Sequence, residues 1–267
     1  EVTRSAQGHP DVLETLKPKS KWVWSAWGKH PLAKDYIQLG TLTSLGKAFA
    51  GWIAKGYKRL STDSGEPPPA CAWRFWAKGD GRNTIVCGTI QTSSDGIGRP
   101  FPLLLMGNGS INGWQKHWHL LPAGLDSTWR RLEHLTSYQG KSIQSFEEAL
   151  VTLAIPQPAW RELGERFASG LLTNESAAQL KPVNREKLLA GFVNQQMIWE
   201  KLEEQGDANL LAQSVMIHDL IKRQTAAIPS LVFMGGVPGA AYLAFFQRSL
   251  RSADVVRLWR PTNSFTK

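Results

Sequence analysis

Cysteine is nearly absent: Cys71 and Cys87 are the only two in 267 residues. That argues against a disulfide framework. Both fall in strand-like segments. Paired as a hairpin, those segments set the two as diagonal neighbours at roughly 7–8 Å, long for a disulfide, so buried free thiols in a reducing compartment are expected. No apolar stretch approaches the ~20 residues that cross a bilayer, and no signal-peptide pattern is visible. The spacings H-E-x-x-H, paired C-x-x-C and G-x-S-x-G are missing. His117-x-His119 supplies two zinc ligands and no obvious third, which favours packing histidines. Asp35, Asp80 and Asp95 fall in predicted loops, and no spacing pairs two of them for acid–base work. There is no internal repeat, no low-complexity tract and no dense Lys/Arg block. No catalytic residue, metal or cofactor is expected.

What is present points to a packed, basic domain. Hydrophobic residues make up 42% of the chain, enough for a proper core. Lys plus Arg number 31 against 22 Asp plus Glu, a net charge of +9. Such an excess suits a nucleic acid, an anionic membrane face or an acidic protein, while scattered basic residues also read as a solvated surface. The bias is greatest near the end, where Lys222, Arg223, Arg248, Arg251, Arg257, Arg260 and Lys267 face only Asp254. Tryptophan is unusually common at 12 residues. Indole suits cores and interfaces alike, so several are expected in the core and a minority on a contact surface.

Residues 1–20 read as a flexible lead-in, and 21–267 as one domain. Its sheet core is expected over 21–106 plus 229–260, with a helical segment at 124–227. Lys21–Trp27 alternates as a strand, and Gly28-Lys29-His30-Pro31 breaks it. Leu42, Leu45, Phe49, Trp52, Ile53 and Tyr57 fall on a helical stripe, so Thr43–Arg59 reads as an amphipathic helix, with Thr41 or Thr43 as cap. Ser61–Pro69 is a linker. Ala70–Ala77 is a second strand, followed by an Asp-Gly turn at Lys78–Asn83. Gly107–Gly113 is glycine-rich with G-x-G-x-x-x-G spacing, a flexible loop rather than a phosphate loop. Helices follow at Leu125–Tyr138, Ser145–Leu153 with Ser145 and Glu148 in capping-box spacing, Trp160–Phe167, Asn184–Glu204 and Ala208–Ala226. Pro229–Met234 and Ala241–Phe246 read as strands around a turn at Gly235–Gly239. A helix at Ala253–Trp259, capped by Ser252, closes the chain.

Thr84–Met106 is the stretch around which these elements are arranged. Thr84–Thr92 reads as a strand, Ser93–Gly98 as the turn and Arg99–Met106 as its antiparallel partner. Pro100 and Pro102 remove N–H groups that point toward one neighbour, so the start of the second strand pairs normally on one edge only. Asp95 and Arg99 stand at the turn with opposite charges. One reading is a turn held by Asp95 on local N–H groups, with Arg99 as counter-ion. The other is an arginine at a loop tip that recognises a partner.

Four segments form an ordered set. The first is Trp27-Gly28-Lys29-His30-Pro31 with Asp35-Tyr36. The second is Phe49, Trp52, Ile53 and Gly56, and the third is Trp73-Arg74-Phe75. The most specific is Ser93, Asp95, Gly98, Arg99, Phe101, Pro102 and Leu103. Together they resemble the TagF (ImpM) family of bacterial type VI secretion clusters. Lys34 stands where the family usually has Gly, and Leu231–Met234 carries less tryptophan than is usual there.

The resemblance implies an α/β (α+β) fold, a central mainly antiparallel sheet layered with helices in a longin-like core, here with a large helical insertion. It implies a cytoplasmic accessory protein without catalytic activity, a post-translational regulator of type VI secretion that binds an Fha-type forkhead-associated scaffold. The motif residues Gly28, Lys29, Pro31, Asp35, Trp52, Gly56, Trp73, Arg74, Ser93, Asp95, Gly98, Arg99, Phe101 and Pro102 are then structural or partner-binding. The competing functions are a basic, Trp-rich nucleic-acid-binding module and an enzyme built on Asp95 or the glycine-rich loop.

Overall fold

Alternation along the strands decides the architecture. A computed structural model describes residues 22–62, 68–137, 140, 142–173, 196–203 and 206–261. Eight strands form one sheet: β1 (Val23–Gly28), β2 (Ile37–Gly40), β3 (Ala72–Lys78), β4 (Thr84–Gln91), β5 (Leu103–Ser110), β6 (Met197–Leu202), β7 (Leu231–Val237) and β8 (Ala240–Phe246). Their order is β2-β1-β5-β4-β3-β7-β8-β6, and every pairing is antiparallel. Side chains on successive strand residues point to opposite faces. In β3, Trp73, Phe75 and Ala77 therefore join one core and Trp76 the other.

Helices cover both faces. On the first lie α1 (Ser44–Thr62) and, late in the chain, α6 (Ser252–Trp259), packed side by side. On the second lie α2 (Leu121–Thr136), α3 (Ile143–Val151) and α5 (Asp207–Gln224). Outside these, α4 (Trp160–Ala168) buries Leu163 against Leu120 and Val215. The result is a mixed α/β fold of three layers. On the α1 side, Phe75 stacks on Phe49 at 5.1 Å and meets Phe233 at 5.8 Å. Full burial of one such side chain stabilises by about 1.5–3 kcal/mol.

The tryptophans are core residues. Nine of the twelve are buried, three are half-buried and none is exposed. Their indole N–H groups tie the layers together. Trp73 Nε1 donates to Leu258 O (3.2 Å), Trp129 Nε1 to Phe75 O (3.2 Å), Trp52 Nε1 to Arg251 O (2.8 Å) and Trp24 Nε1 to Leu153 O (3.0 Å). The Nε1 groups of Trp22, Trp114, Trp199 and Trp259 are buried without a hydrogen-bond partner among the described residues, so these indoles contribute packing area alone. Trp27, Trp160 and Trp199 are the half-buried three, and none of the twelve offers a fully exposed ring to a contact surface.

The β4–β5 hairpin forms as the turn chemistry predicts, with Thr84 opposite Ser110 and Gln91 opposite Leu103. Its second strand starts later than expected and runs through Gly107–Ser110, so the glycine-rich segment is not a loop. A Cβ at Gly107 or Gly109 would run into the rings of Trp22 and Trp24, which lie across the strand there. The reading of Asn184–Glu204 as helix is also corrected, since Met197–Leu202 is an edge strand on β8. Ile198 and Leu202 face one core while Met197 and Trp199 face the other, a period of two. Residues 184–195 and 204 of that reading lie outside the described residues, as do 1–20 and the middle of the linker, 63–67. The strand β2 is absent from the sequence reading; its four residues leave little pattern.

Cap and turn positions shift locally. Thr43 Oγ1 caps α1 by accepting from Gly46 N at 3.2 Å, as expected. In α3 the cap is Ser142, whose Oγ accepts from Ser145 N at 3.2 Å, one turn before the expected Ser145. In α6 the flanking residue is Arg251 rather than Ser252, and Asp254 accepts from Arg251 N at 2.7 Å. Gly235 and Gly236 belong to β7, not to the turn. Cys71 and Cys87 are free and buried in cores on opposite faces of the sheet. They are therefore not hairpin neighbours of any kind, because strand alternation puts the sheet between them.

Candidate functional site

Most of the motif residues converge on one corner of the sheet, where β1 ends and the β4–β5 connection returns. Gly28 holds φ +127°, and a Cβ there would run into the Pro102 carbonyl. This close approach turns Lys29 inward, where only 6% of it stays exposed. Its Nζ lies 3.0 Å from Asp95 Oδ2, donates to Arg99 O at 3.4 Å and sits 5.1 Å from the Tyr36 ring centroid.

Asp95 is the hub. It is 2% exposed, and its Oδ1 accepts from Ile97 N (3.2 Å) and Arg99 N (2.9 Å). Its Oδ2 accepts from Arg99 Nε at 2.7 Å as well as facing Lys29. Burial alone would push the carboxyl up. The hydrogen bonds from the Arg99 backbone, Lys29, the Arg99 side chain and Ile97 outweigh it and hold the carboxyl well below the usual carboxylate range. Asp95 thus holds its turn through backbone N–H groups. Arg99 does two things. Its Nε is spent on Asp95 and its Nη2 on Lys34 O at 2.7 Å, yet half of the side chain remains in solvent beside Asp35.

The rest of the corner fixes the frame. Gly96 N donates to Ala33 O at 2.7 Å, Phe101 N to Ser93 O at 3.0 Å, and Ser94 bridges Pro100. Gly98 takes φ +84°, which closes the turn. Buried Phe101 meets Trp27, Tyr36 and Tyr57 edge-on at 5.4, 4.8 and 5.0 Å. Pro31 and Asp35 stay exposed. On this base stand Tyr36 and Ile97, exposed by 52% and 66%. Ile97 escaped the sequence reading, though an apolar residue between Gly96 and Gly98 at a loop tip is a usable signal.

The other motif residues lie elsewhere. Trp52 and Trp73 pack within the α1 layer. Gly56 lets Val255 of α6 sit where a Cβ would be. Arg74 points to the opposite layer, where it forks onto Glu133 at 2.6 and 2.8 Å and reaches Asp126 at 3.0 Å.

Two cavities and the histidines His117 and His119 lie away from the corner. A cavity of about 290 Å³ beside Arg74 is lined by Trp129, Leu202, Leu210, Ser214 and Met234, and the Arg74 guanidinium there is already held by carboxylates. An adjoining hollow of about 620 Å³ reaches Cys71. Burial pushes the Cys71 thiol up to about 12 against hydrogen bonds from Thr92, so it is not a nucleophile near neutral pH. His117 stacks on Trp160 at 5.4 Å, and His119 Nδ1 lies 2.8 Å from Lys222 Nζ. Among the described residues no group of three or more His, Cys, Asp or Glu is placed to hold a metal ion, and no helix is long and apolar enough to cross a membrane.

Residues 25–153, which include this whole corner, match the family model of the TagF N-terminal domain, type VI secretion system-associated. Over that span the chain is similar to the TagF family. Strands β6, β7 and β8 and helices α4, α5 and α6 lie beyond the matched span. The crystal structure of PA0076 from Pseudomonas aeruginosa PAO1 is similar over 91% of this chain and 97% of its own, at a TM-score of 0.52 and 16% identity, a likeness of fold. No curated protein matches the chain. The matched span therefore supplies β1 to β5 of the sheet, and the remainder completes it on the β3 edge.

Proposed function

We propose that the protein acts by binding another protein, as a post-translational regulator of type VI secretion in the cytoplasm. The favoured partner is a forkhead-associated scaffold, and binding withholds it from the assembling machine. The observation that carries this reading is the corner. Tyr36, Ile97 and half of Arg99 stand exposed on a base locked by Lys29 and Asp95. A rigid, mixed apolar and cationic tip suits recognition, because its ordering cost is met before the partner arrives. Catalysis is less favoured, because the corner's carboxylate is fully engaged by Ile97 N, Arg99 and Lys29. Nucleic-acid stacking is less favoured because no tryptophan is exposed.

The test is a titration of purified protein against the scaffold, with secretion assayed at graded expression. A complex is expected, with secretion falling in proportion to protein amount and rising on deletion. No complex at ~10 μM, together with full effect at sub-stoichiometric amounts, would overturn it.

A further inference from the structure

Charge is unevenly divided between the two faces of the sandwich. On one, α1 carries Lys47, Lys55, Lys58 and Arg59 and no acidic residue. Arg251 stands exposed at the start of α6. Exposed Lys201 of β6 is on the same side, since it pairs with Tyr242, which packs in the α1 core. The single acid of these two helices is Asp254, which is buried and satisfied from within. Arg248 forks onto both of its oxygens at 2.7 Å, and Arg251 N donates at 2.7 Å. The opposite layer is mixed, with Arg130–Asp126, Arg161–Glu165 and Arg223–Asp219 paired along their helices. Among the described residues, Lys47, Lys55, Lys58 and Arg251 form no ion pair.

We propose that this α1 face is a second docking surface, for an acidic segment of a partner protein. Lys47, Lys55 and Lys58 share one stripe of α1 about 16 Å long, at 1.5 Å per residue. Between them Ala48 and Gly51 are exposed, and a Cβ at Gly51 would meet nothing within 4 Å. A partner backbone can therefore come close to α1 while its carboxylates meet the flanking ammonium groups. The face lacks what other anionic partners use. Trp52, Tyr57 and Trp259 are turned into the core, leaving no ring on which a base could stack. The exposed large hydrophobic residues among those described are Tyr36, Ile97, Val151, Ile155 and Leu171, none of them on α1 or α6, so no apolar wedge enters a bilayer.

The experiment compares two triple variants of the full chain that change net charge equally. One is Lys47→Glu, Lys55→Glu, Lys58→Glu; the other is Arg131→Glu, Arg161→Glu, Arg166→Glu on α2 and α4. Fluorescence anisotropy follows a labelled polyglutamate peptide, a short DNA duplex and phosphatidylserine vesicles against each. The α1 variant is expected to weaken peptide binding about tenfold or more and the control less than about threefold. Equal losses would reduce the effect to overall charge and overturn the proposal. So would tighter binding of wild type to the duplex or the vesicles through the same lysines. All six positions are exposed, so melting temperatures should hold; if the α1 variant melts early, Lys→Gln at the three sites takes its place. The peptide assay contains no scaffold and the secretion assay no peptide, so either reading can fail alone.

Discussion

The indole of Trp76 on β3 donates to His218 Nε2 on α5 at 3.3 Å, and the other ring nitrogen of His218 lies 2.6 Å from Ser214 O. With Nε2 accepting, Nδ1 carries the proton and donates to the carbonyl, so the fold holds one neutral tautomer. Burial pushes His218 down to about 3, against the opposing hydrogen bond to Ser214. His119 is lowered to about 4 by burial first and then by Lys222.

These two histidines give stability an acid slope. Both are neutral in the fold and charge near 6.5 when unfolded. Between about pH 6.5 and 4 the unfolded chain binds more protons, so stability falls as pH falls, by ~1.4 kcal/mol per pH unit for each group. His218→Gln removes one group, and the slope over that window should drop by about 1.4 kcal/mol per pH unit, while His119 and the likewise lowered His30 and His117 keep the rest. Denaturant titrations at several pH values measure it; an unchanged slope would mean that His218 does not titrate on unfolding.

Asp95 acts in a lower window. Its carboxyl is held below the ~3.9 of an unfolded aspartate, so its contribution is complete above that pH and is lost as pH falls toward the folded value. Asp95→Asn should melt below wild type at pH 7, and the gap should narrow below about pH 4. Lys29→Met should cost more than Arg99→Ala, because it takes the buried counter-ion from a buried carboxylate, whereas Arg99 is half in solvent. Melting curves in the reverse order would show that Arg99, not Lys29, balances Asp95.

Gly56 of α1 meets Val255 of α6 with no room for a Cβ. Gly56→Val should lower stability by about 1–3 kcal/mol through overpacking, despite the better helix propensity of the new residue. Gly51→Ala, in open space on the same helix, should raise it by about 0.5–1 kcal/mol. Chemical denaturation of the two single variants checks both signs.

What the sequence makes legible follows the range of the forces involved. The β4–β5 hairpin is readable because Asp95-Gly96 and Gly98 make the turn and apolar runs flank it. The cap at Thr43 is readable because it needs only its own helix. The strand at Met197–Leu202 is not, because its alternation is short and its pairing is decided by β8, far along the chain. Gly107 and Gly109 look like loop residues until Trp22 and Trp24 lie across them. At the corner, resemblance placed Lys29 and Asp95 in separate motifs; only the sheet order, which sets β1 beside β5, brings them to 3.0 Å.

Ile97 separates a structural corner from a recognising one. Its side chain is 66% exposed, and the turn uses its backbone N–H through Asp95 Oδ1 rather than its side chain. Ile97→Ser keeps that N–H and removes apolar surface, so stability should change by less than about 0.5 kcal/mol. If Tyr36, Ile97 and Arg99 form the contact, the same substitution should weaken partner binding by about tenfold, the loss of one well-placed apolar anchor. Tyr36→Ala is a poorer probe, since its ring also packs on Phe101 at 4.8 Å and would disturb the base. The measurement is a paired one: melting temperature and scaffold titration on the same Ile97→Ser preparation. A protein that melts like wild type and binds less tightly places the contact at this tip. Unchanged binding moves the contact off the corner and leaves Lys29, Asp95 and Arg99 as the scaffolding of a turn.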